Sequence, residues 1–335
     1  MDVLNDETFM YGILLPVVVF FGYLGNILTA IVLWKKEMAS TNNILLRALV
    51  LSDIVMITTI FIVLSLPFLL TKLIDNEEAT AAIFIHGHST LNYLVMTSQQ
   101  CNEYILVFLS AERYFAVCHP LKYVNFTSKG KTIALLCGVI CCSIAYNIPR
   151  ILAFTVHKAS CVNENSSFTC YTLLYTDFGS GYFYQEVYSI WLYSAIYFVI
   201  PLAILLILNI LIIKELAKMW NIRKRLGVVN SPNAKKDSIT LSLVLIMVVF
   251  GVVQTLGFFN QFPNILDDGI DQDMFIKCVN VLYVINSSIN FLIYVVVGKK
   301  FRKNVSDLFK TWFHCSPCTK PSTEYRLSEL SSFRN

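Results

Sequence analysis

Seven polar residues interrupt long apolar runs: Asn26 in GYLGN, Asp53 in LSDIV, Asn102 and Glu103, and Asn286, Ser287 and Asn290 in NSSINFLIY. A carboxylate such as Asp53 among amides and a hydroxyl is an oxygen-rich set. It could cradle a small hydrated cation, sodium being the ion expected, or a proton, because hard cations take oxygen ligands. The same groups could also form a purely structural hydrogen-bond network. A second constellation, Glu112-Arg113-Tyr114, ends an apolar run and is followed by Pro120, Leu121 and Lys122. A guanidinium there can reach water or a partner carboxylate, and Glu112 is the nearest candidate. The plainer reading is a helix-end Arg that only snorkels.

These residues must be positioned by elements that live in hydrocarbon. Of 335 residues, 56% are hydrophobic and 14% charged, against roughly a quarter charged in soluble domains. Residues 11–34 carry no Asp, Glu, Lys or Arg, and about 20 apolar residues suffice to cross a bilayer core of ~30 Å. MDVLNDETF lacks the basic start of a signal peptide, so the first run is expected to stay as a span. Seven apolar segments follow one another at about 11–34, 43–70, 86–116, 132–155, 187–215, 239–265 and 275–297, which makes an all-α seven-helix bundle the expected fold.

Basic residues orient the bundle. With the N-terminus outside, the outer segments hold only Lys72, Arg150, Lys158 and Lys277, and the other basic residues lie within or near inner span ends. The outer segments also hold 13 of the 22 acidic residues. They form either a solvated acidic surface or a field that draws in a cationic ligand. The expected order is a short outer N-terminus (1–10), the seven-span domain (11–297), an amphipathic membrane-surface helix (298–314) and an inner tail (315–335). The surface helix is read from Phe301, Val305, Leu308, Phe309 and Trp312 at helical spacing among basic residues, a pattern that binds lipid. Nothing points to an enzyme. DFG at 177–179 lies in an outer loop without kinase context, and CSPC at 315–318 has no second ligand pair for zinc. No metal centre and no nucleic-acid partner are expected.

GYLGN, LSDIV, AERYFAVCHPLKY, Pro201 above a basic inner segment, and NSSINFLIY followed by GKKFRK together resemble a rhodopsin-like G-protein-coupled receptor over about residues 10–315. YNIPRILAF, Gln254 and NSSINFLIY are similar to the invertebrate FMRFamide-receptor-like peptide receptors. The resemblance implies that Glu112, Arg113, Tyr114, Leu121 and Tyr294 couple to a heterotrimeric G protein, with Glu112 holding Arg113 at rest. It implies a sodium or polar network of Asn26, Asp53, Asn102, Asn286, Ser287 and Asn290. It also implies a plasma-membrane location, arrestin and receptor-kinase partners acting on the Ser/Thr-rich tail, and palmitoylation at Cys315 and Cys318.

The chain departs from that pattern in several places. The usual third-span cysteine is replaced by His88, and the second outer loop instead carries Cys161 and Cys170 around CVNENSSFTC, with a glycosylation sequon at Asn165. A local Cys161–Cys170 bridge is expected in an oxidising compartment, with free thiols or a bridge to Cys278 as alternatives. The sixth span lacks its aromatic switch and kinking Pro, offering Gln254 and Leu256 instead. Val95 stands where amine receptors need a carboxylate, and the seventh span lacks the Lys that opsins need. Asn92, Gln99, Trp191, Gln254, Phe258 and Tyr283 are therefore expected to line a pocket for a short cationic amidated peptide, their amides bonding a carboxamide and the outer acids drawing in an Arg. A chemosensory receptor for a small molecule and a seven-span channel are the competing readings.

Overall fold

A backbone in hydrocarbon must satisfy its N–H and C=O groups internally, so each uncharged apolar run becomes a helix. The computed structural model describes residues 6–35, 43–73, 77–126, 128–163, 166–226, 234–259, 271–297 and 299–313. The seven spans are Asp6–Trp34, Ile44–Leu73, Glu77–Cys118, Lys129–Leu152, Phe183–Ile222, Ala234–Phe259 and Gln272–Val297. Five of them are long and apolar enough to cross a membrane by length and composition alone. The third runs for 42 residues with polar groups interspersed, and the apolar part of the sixth is Val244–Phe259. They pack as one bundle, the first against the second and seventh, and the third against the second, fourth and fifth.

The third helix begins at Glu77, so most of the segment expected as an outer loop at 71–85 is helical. The described sixth helix stops at Phe259, and residues 260–265, expected within that span, lie outside the described residues. Three spans contain widened π-type turns: Met10–Leu14 just before Pro16, Phe61–Ser65 just before Pro67, and Phe183–Leu192 with Ser194–Val199 just before Pro201. Proline has no N–H to give and its ring crowds the carbonyl four residues back, so the preceding turns must re-route their hydrogen bonds. Such turns recur at functional sites.

One half of the core is built from Leu46, Leu49, Leu109, Leu205 and Met247, and the other half from Leu15, Met56, Ile57 and Val284. Phe20, Phe21, Ile207, Val248 and Val252 are exposed, as side chains facing lipid should be. Two glycines bring the first span close to the seventh. A Cβ on Gly22 would collide with Ser288 Oγ, and one on Gly25 would lie 3.0 Å from Phe291 Cβ.

Between the fourth and fifth spans, β1 (Phe154–Asn163) and β2 (Ser166–Tyr175) pair antiparallel, with Ala159 opposite Cys170 and Cys161 opposite Phe168. A short helix, Pro120–Phe126, follows the third span, and Lys299–Phe313 follows the seventh. Phe301 and Val305 on that last helix are buried against the core with Leu46 and Leu49, and Leu308 is buried as well. The side chain of Trp312, together with Cys315, Cys318 and the tail, lies outside the described residues.

Candidate functional site

The Asp53 cluster forms where the second, third and seventh spans meet. Asn102 Nδ2 donates to Asp53 Oδ1 and Asn290 Nδ2 to Asp53 Oδ2, both at 2.7 Å. Ser287 faces the same carboxylate, and its Oγ is also 3.5 Å from the Met56 sulfur. Asn26 Nδ2 donates to Ser287 O and to Gly22 O, each at 3.0 Å, tying the first span to the seventh. Asn286 is buried, but no hydrogen bond links it to Asp53 among the described residues. Asn26 Oδ1 and Asn290 Oδ1 are buried acceptors without partners. They leave an oxygen-only donor set of the kind a hard cation or water takes.

Nearer the hairpin, a cavity of about 440 Å³ lies between the second, third, fifth, sixth and seventh spans. Its polar lining is His88, Asn92, Gln99, Tyr193, Asn280 and Tyr283, among apolar residues such as Leu64, Val95 and Phe198. Among the described residues no Asp, Glu, Lys or Arg lines it. A Cβ on Gly257 would collide with the Tyr283 hydroxyl, so glycine is what lets the sixth span close on that ring. His88 packs edge-on against Phe154 of β1, with ring centroids 5.5 Å apart.

Three residues expected in this pocket stand elsewhere. Trp191 is 67% exposed on the outside of the fifth span. Phe258 stands behind Phe198, with ring centroids 5.7 Å apart. Gln254 is 1% exposed and sits apart from the lining residues. Its Nε2 donates to Glu103 Oε1 at 2.6 Å and to the backbone oxygen of Tyr197 at 3.0 Å. Gln99, at the pocket's edge, donates to the same Glu103 Oε1 at 3.1 Å.

Sequence reasoning did not anticipate the hub beside this cluster. Asn147 is fully buried. Its Nδ2 donates to Gln100 Oε1 at 2.8 Å and to Ser143 O at 2.9 Å. Its Oδ1 accepts from the Tyr197 hydroxyl at 2.9 Å and from Arg150 Nε at 3.1 Å. The Arg150 guanidinium lies 5.5 Å from the Tyr188 ring centroid and 5.0 Å from that of Tyr193, a cation–π sandwich between the fourth and fifth spans. The signals available beforehand were a basic residue beside Pro149 and the tyrosine repeat at 184, 188, 193 and 197.

At the other end of the bundle, Arg113 is half-buried, and its Nε has no hydrogen-bond partner. Glu112 makes no direct ion pair with it, although the Arg113 charge acts on the Glu112 carboxylate. Glu112 Oε1 instead accepts from the Tyr123 hydroxyl of the short loop helix at 2.9 Å. Adjacent residues on a helix point in different directions, so Glu112 faces the loop helix while Arg113 faces inward. Arg113 lies within electrostatic reach of Tyr294, whose hydroxyl is buried and unpartnered. Tyr114 bonds His119 at 3.2 Å, and Leu121 is 87% exposed.

On the hairpin, Cys170 is disulfide-bonded, whereas Cys278 is a free thiol, which removes the alternative of a bridge between those two. The Cys161 side chain and Asn165 lie outside the described residues. The acidic rim is partly engaged already. Asp271 Oδ1 caps the seventh helix by accepting from the N–H groups of Asp273 and Met274, and Asp273 pairs with Lys277. Asp267 and Asp268 lie outside the described residues.

The family model described as 7 transmembrane receptor (rhodopsin family) matches residues 25–294. The chain is 29% identical over 300 residues to the FMRFamide receptor of Drosophila melanogaster, across 89% of this chain and 53% of that one. It therefore spans about half the length of that relative. It is 25% identical to the FMRFamide peptide receptor frpr-18 of Caenorhabditis elegans, across 95% of this chain and 73% of the relative. It is also 25% identical to the QRFP-like peptide receptor of Branchiostoma floridae, across 87% and 74%. With most of its length matched, and with Asp53, Arg113 and Asn290 on the faces described above, this multi-pass membrane chain belongs to the rhodopsin family of seven-transmembrane receptors.

Proposed function

We propose that this receptor binds a short cationic amidated peptide from outside the cell and activates heterotrimeric G proteins at the plasma membrane, its N-terminus outside and its tail inside. The carrying observation is the cavity, whose lining among the described residues has amides, tyrosines and one histidine but no carboxylate and no Lys or Arg. A carboxamide finds donors and acceptors there, in Asn92, Gln99 and Asn280. A free carboxylate would be stripped of water without a fixed cation, which is costly. The cationic side chain of the ligand then stays at the acidic rim. The printed names of the relatives, FMRFamide and QRFP-like peptide receptors, support the same ligand class.

The test compares each amidated peptide with its free-acid counterpart in a calcium or cAMP assay. The free acid should be weaker by about two orders of magnitude, corresponding to ~2.8 kcal/mol at about 1.4 kcal/mol per decade. Equal potency of the two forms would overturn the carboxamide assignment. The lining also separates two variants. Gln99→Ala should weaken peptide binding, whereas Trp191→Ala should leave it within experimental error, and the reverse order would displace the pocket.

In this reading Asp53, Asn102, Ser287 and Asn290 hold a sodium ion in the resting receptor, and the unpaired Asn26 Oδ1 and Asn290 Oδ1 support it. Sodium should then lower agonist affinity, and Asp53→Asn should abolish that dependence in competition binding. A sodium response unchanged in Asp53→Asn would leave the cluster a structural network. The Cys161–Cys170 bridge, glycosylation at Asn165, palmitoylation at Cys315 and Cys318, and arrestin and kinase action on the tail belong to the same proposal. Non-reduced peptide mapping tests the bridge.

A further inference from the structure

Glu103 and Asp53 are both about 1% exposed, yet they accept hydrogen bonds in different ways. Asp53 takes one amide donor on each oxygen, the even sharing an ionised carboxylate favours. Glu103 takes both of its amide donors, Gln99 Nε2 and Gln254 Nε2, on Oε1, while Oε2 is buried with none. The second orphan in this cluster is Gln254 Oε1, also buried and without a donor. Its amide cannot be turned round to cure this. The backbone oxygen of Tyr197 only accepts, so the atom facing it at 3.0 Å must be Nε2. Two buried acceptors thus lack one hydrogen between them, and leaving either unmet costs free energy.

We propose that Glu103 carries a proton, and that Oε2–H donates to Gln254 Oε1 while Gln254 Nε2 donates to Glu103 Oε1. The result is a two-point acid–amide latch joining the third span to the sixth. In a neutral acid the carbonyl oxygen collects donors and the hydroxyl oxygen gives its own, which accounts for the uneven sharing at Glu103. The second hydrogen of Gln254 Nε2 stays on Tyr197 O, so one side chain ties the third, fifth and sixth spans together. The titratable groups facing Glu103 are Tyr193 and Tyr197 of the fifth span, Tyr283 of the seventh and Tyr104 on its own span. Among the described residues no basic side chain pairs with it. Gln99 lines the cavity and also bonds Glu103, so a ligand that engages Gln99 competes directly with the latch. Glu103 and Gln254 are therefore positioning residues, setting the sixth span relative to the third without touching the ligand. That consequence for signalling rests on the receptor reading above, whereas the proton on Glu103 does not.

Infrared spectroscopy of the purified receptor in lipid nanodiscs tests the latch without ligand or G protein. The wild-type minus Glu103→Gln spectrum should contain the carbonyl band of a hydrogen-bonded neutral carboxylic acid, and Asp53→Asn should leave that band in place. Gln254→Leu should move it to higher frequency as the acid loses its amide partner. Should Gln254→Leu fail to fold, Gln254→Asn, one methylene shorter, makes the same break. A carboxylate band pair in place of the acid band would overturn the proposal, as would an acid band that neither Gln254 variant moves. Raised basal nucleotide exchange in Gln254→Leu is expected in addition. Its absence with the band shift intact would count against the receptor consequence alone.

Discussion

Arg113→Ala is expected to abolish G-protein activation while leaving peptide binding measurable. Arg113 follows the pocket residue Val95 by 18 positions on one continuous helix, which at 1.5 Å per residue puts it about 27 Å away. No ligand contact is lost at that separation, so any signalling defect must arise at the inner end. Losing one or two hydrogen bonds from a charged donor costs about 3 kcal/mol, or roughly a hundredfold in stimulated nucleotide exchange. Purified, surface-expressed Arg113→Ala receptor with wild-type exchange would remove Arg113 from coupling. The expectation for Glu112 differs from the one its position beside Arg113 suggests. Its carboxylate meets Tyr123, and a Gln there still offers an acceptor, so Glu112→Gln should change basal exchange only slightly.

The largest expected effect on stability is at Asn147. Its amide satisfies four partners on its own span and on the third and fifth, without contact with water. Leucine of similar volume would leave Gln100 Oε1 and Arg150 Nε buried without those bonds. It would leave the Tyr197 hydroxyl only the Met96 carbonyl at 2.8 Å and Gln100 Oε1 at 3.4 Å. Each orphaned group costs about 1–3 kcal/mol, so Asn147→Leu should lose about 3 kcal/mol or more. Thermal unfolding in nanodiscs measures this, with Ile144→Leu, on the exposed face of the same span, as the comparison. A melting temperature equal to that of the comparison would show the hub to be energetically idle.

How much of this could be read from the residues alone depended on the kind of signal. Asp53, Asn102 and Asn290 were legible because a polar side chain in an uncharged helix needs a partner, and the partners available were one another. The facing of the fifth span was not. Trp191 lies in a stretch of widened turns at Phe183–Leu192, where a 3.6-residue count no longer tells which residues point inward. Gln254 was visible as an anomaly, but its partner was not. The carbonyl of Tyr197 and the carboxyl of Glu103 meet the same amide only once three spans are packed. For Glu112 and Arg113 the sequence showed the nearness but not the facing: the Arg113 charge acts on the Glu112 carboxylate, yet the hydrogen bond of that carboxylate goes to Tyr123. Helical geometry turns one towards the loop helix and the other towards Tyr294. The outer acids were countable from the sequence, yet their availability was not. Asp271 caps a helix and Asp273 pairs with Lys277.

The central claim is that an outside peptide drives nucleotide exchange through this bundle. The most direct measurement uses the purified receptor in lipid nanodiscs, with heterotrimeric G proteins and a library of short amidated peptides, and follows nucleotide exchange on Gα. The account predicts that at least one cationic amidated peptide accelerates exchange on a Gα subunit, and that Arg113→Ala removes the acceleration. Exchange unaffected by every peptide and every Gα, together with ion current through the receptor in bilayers without G protein, would contradict it.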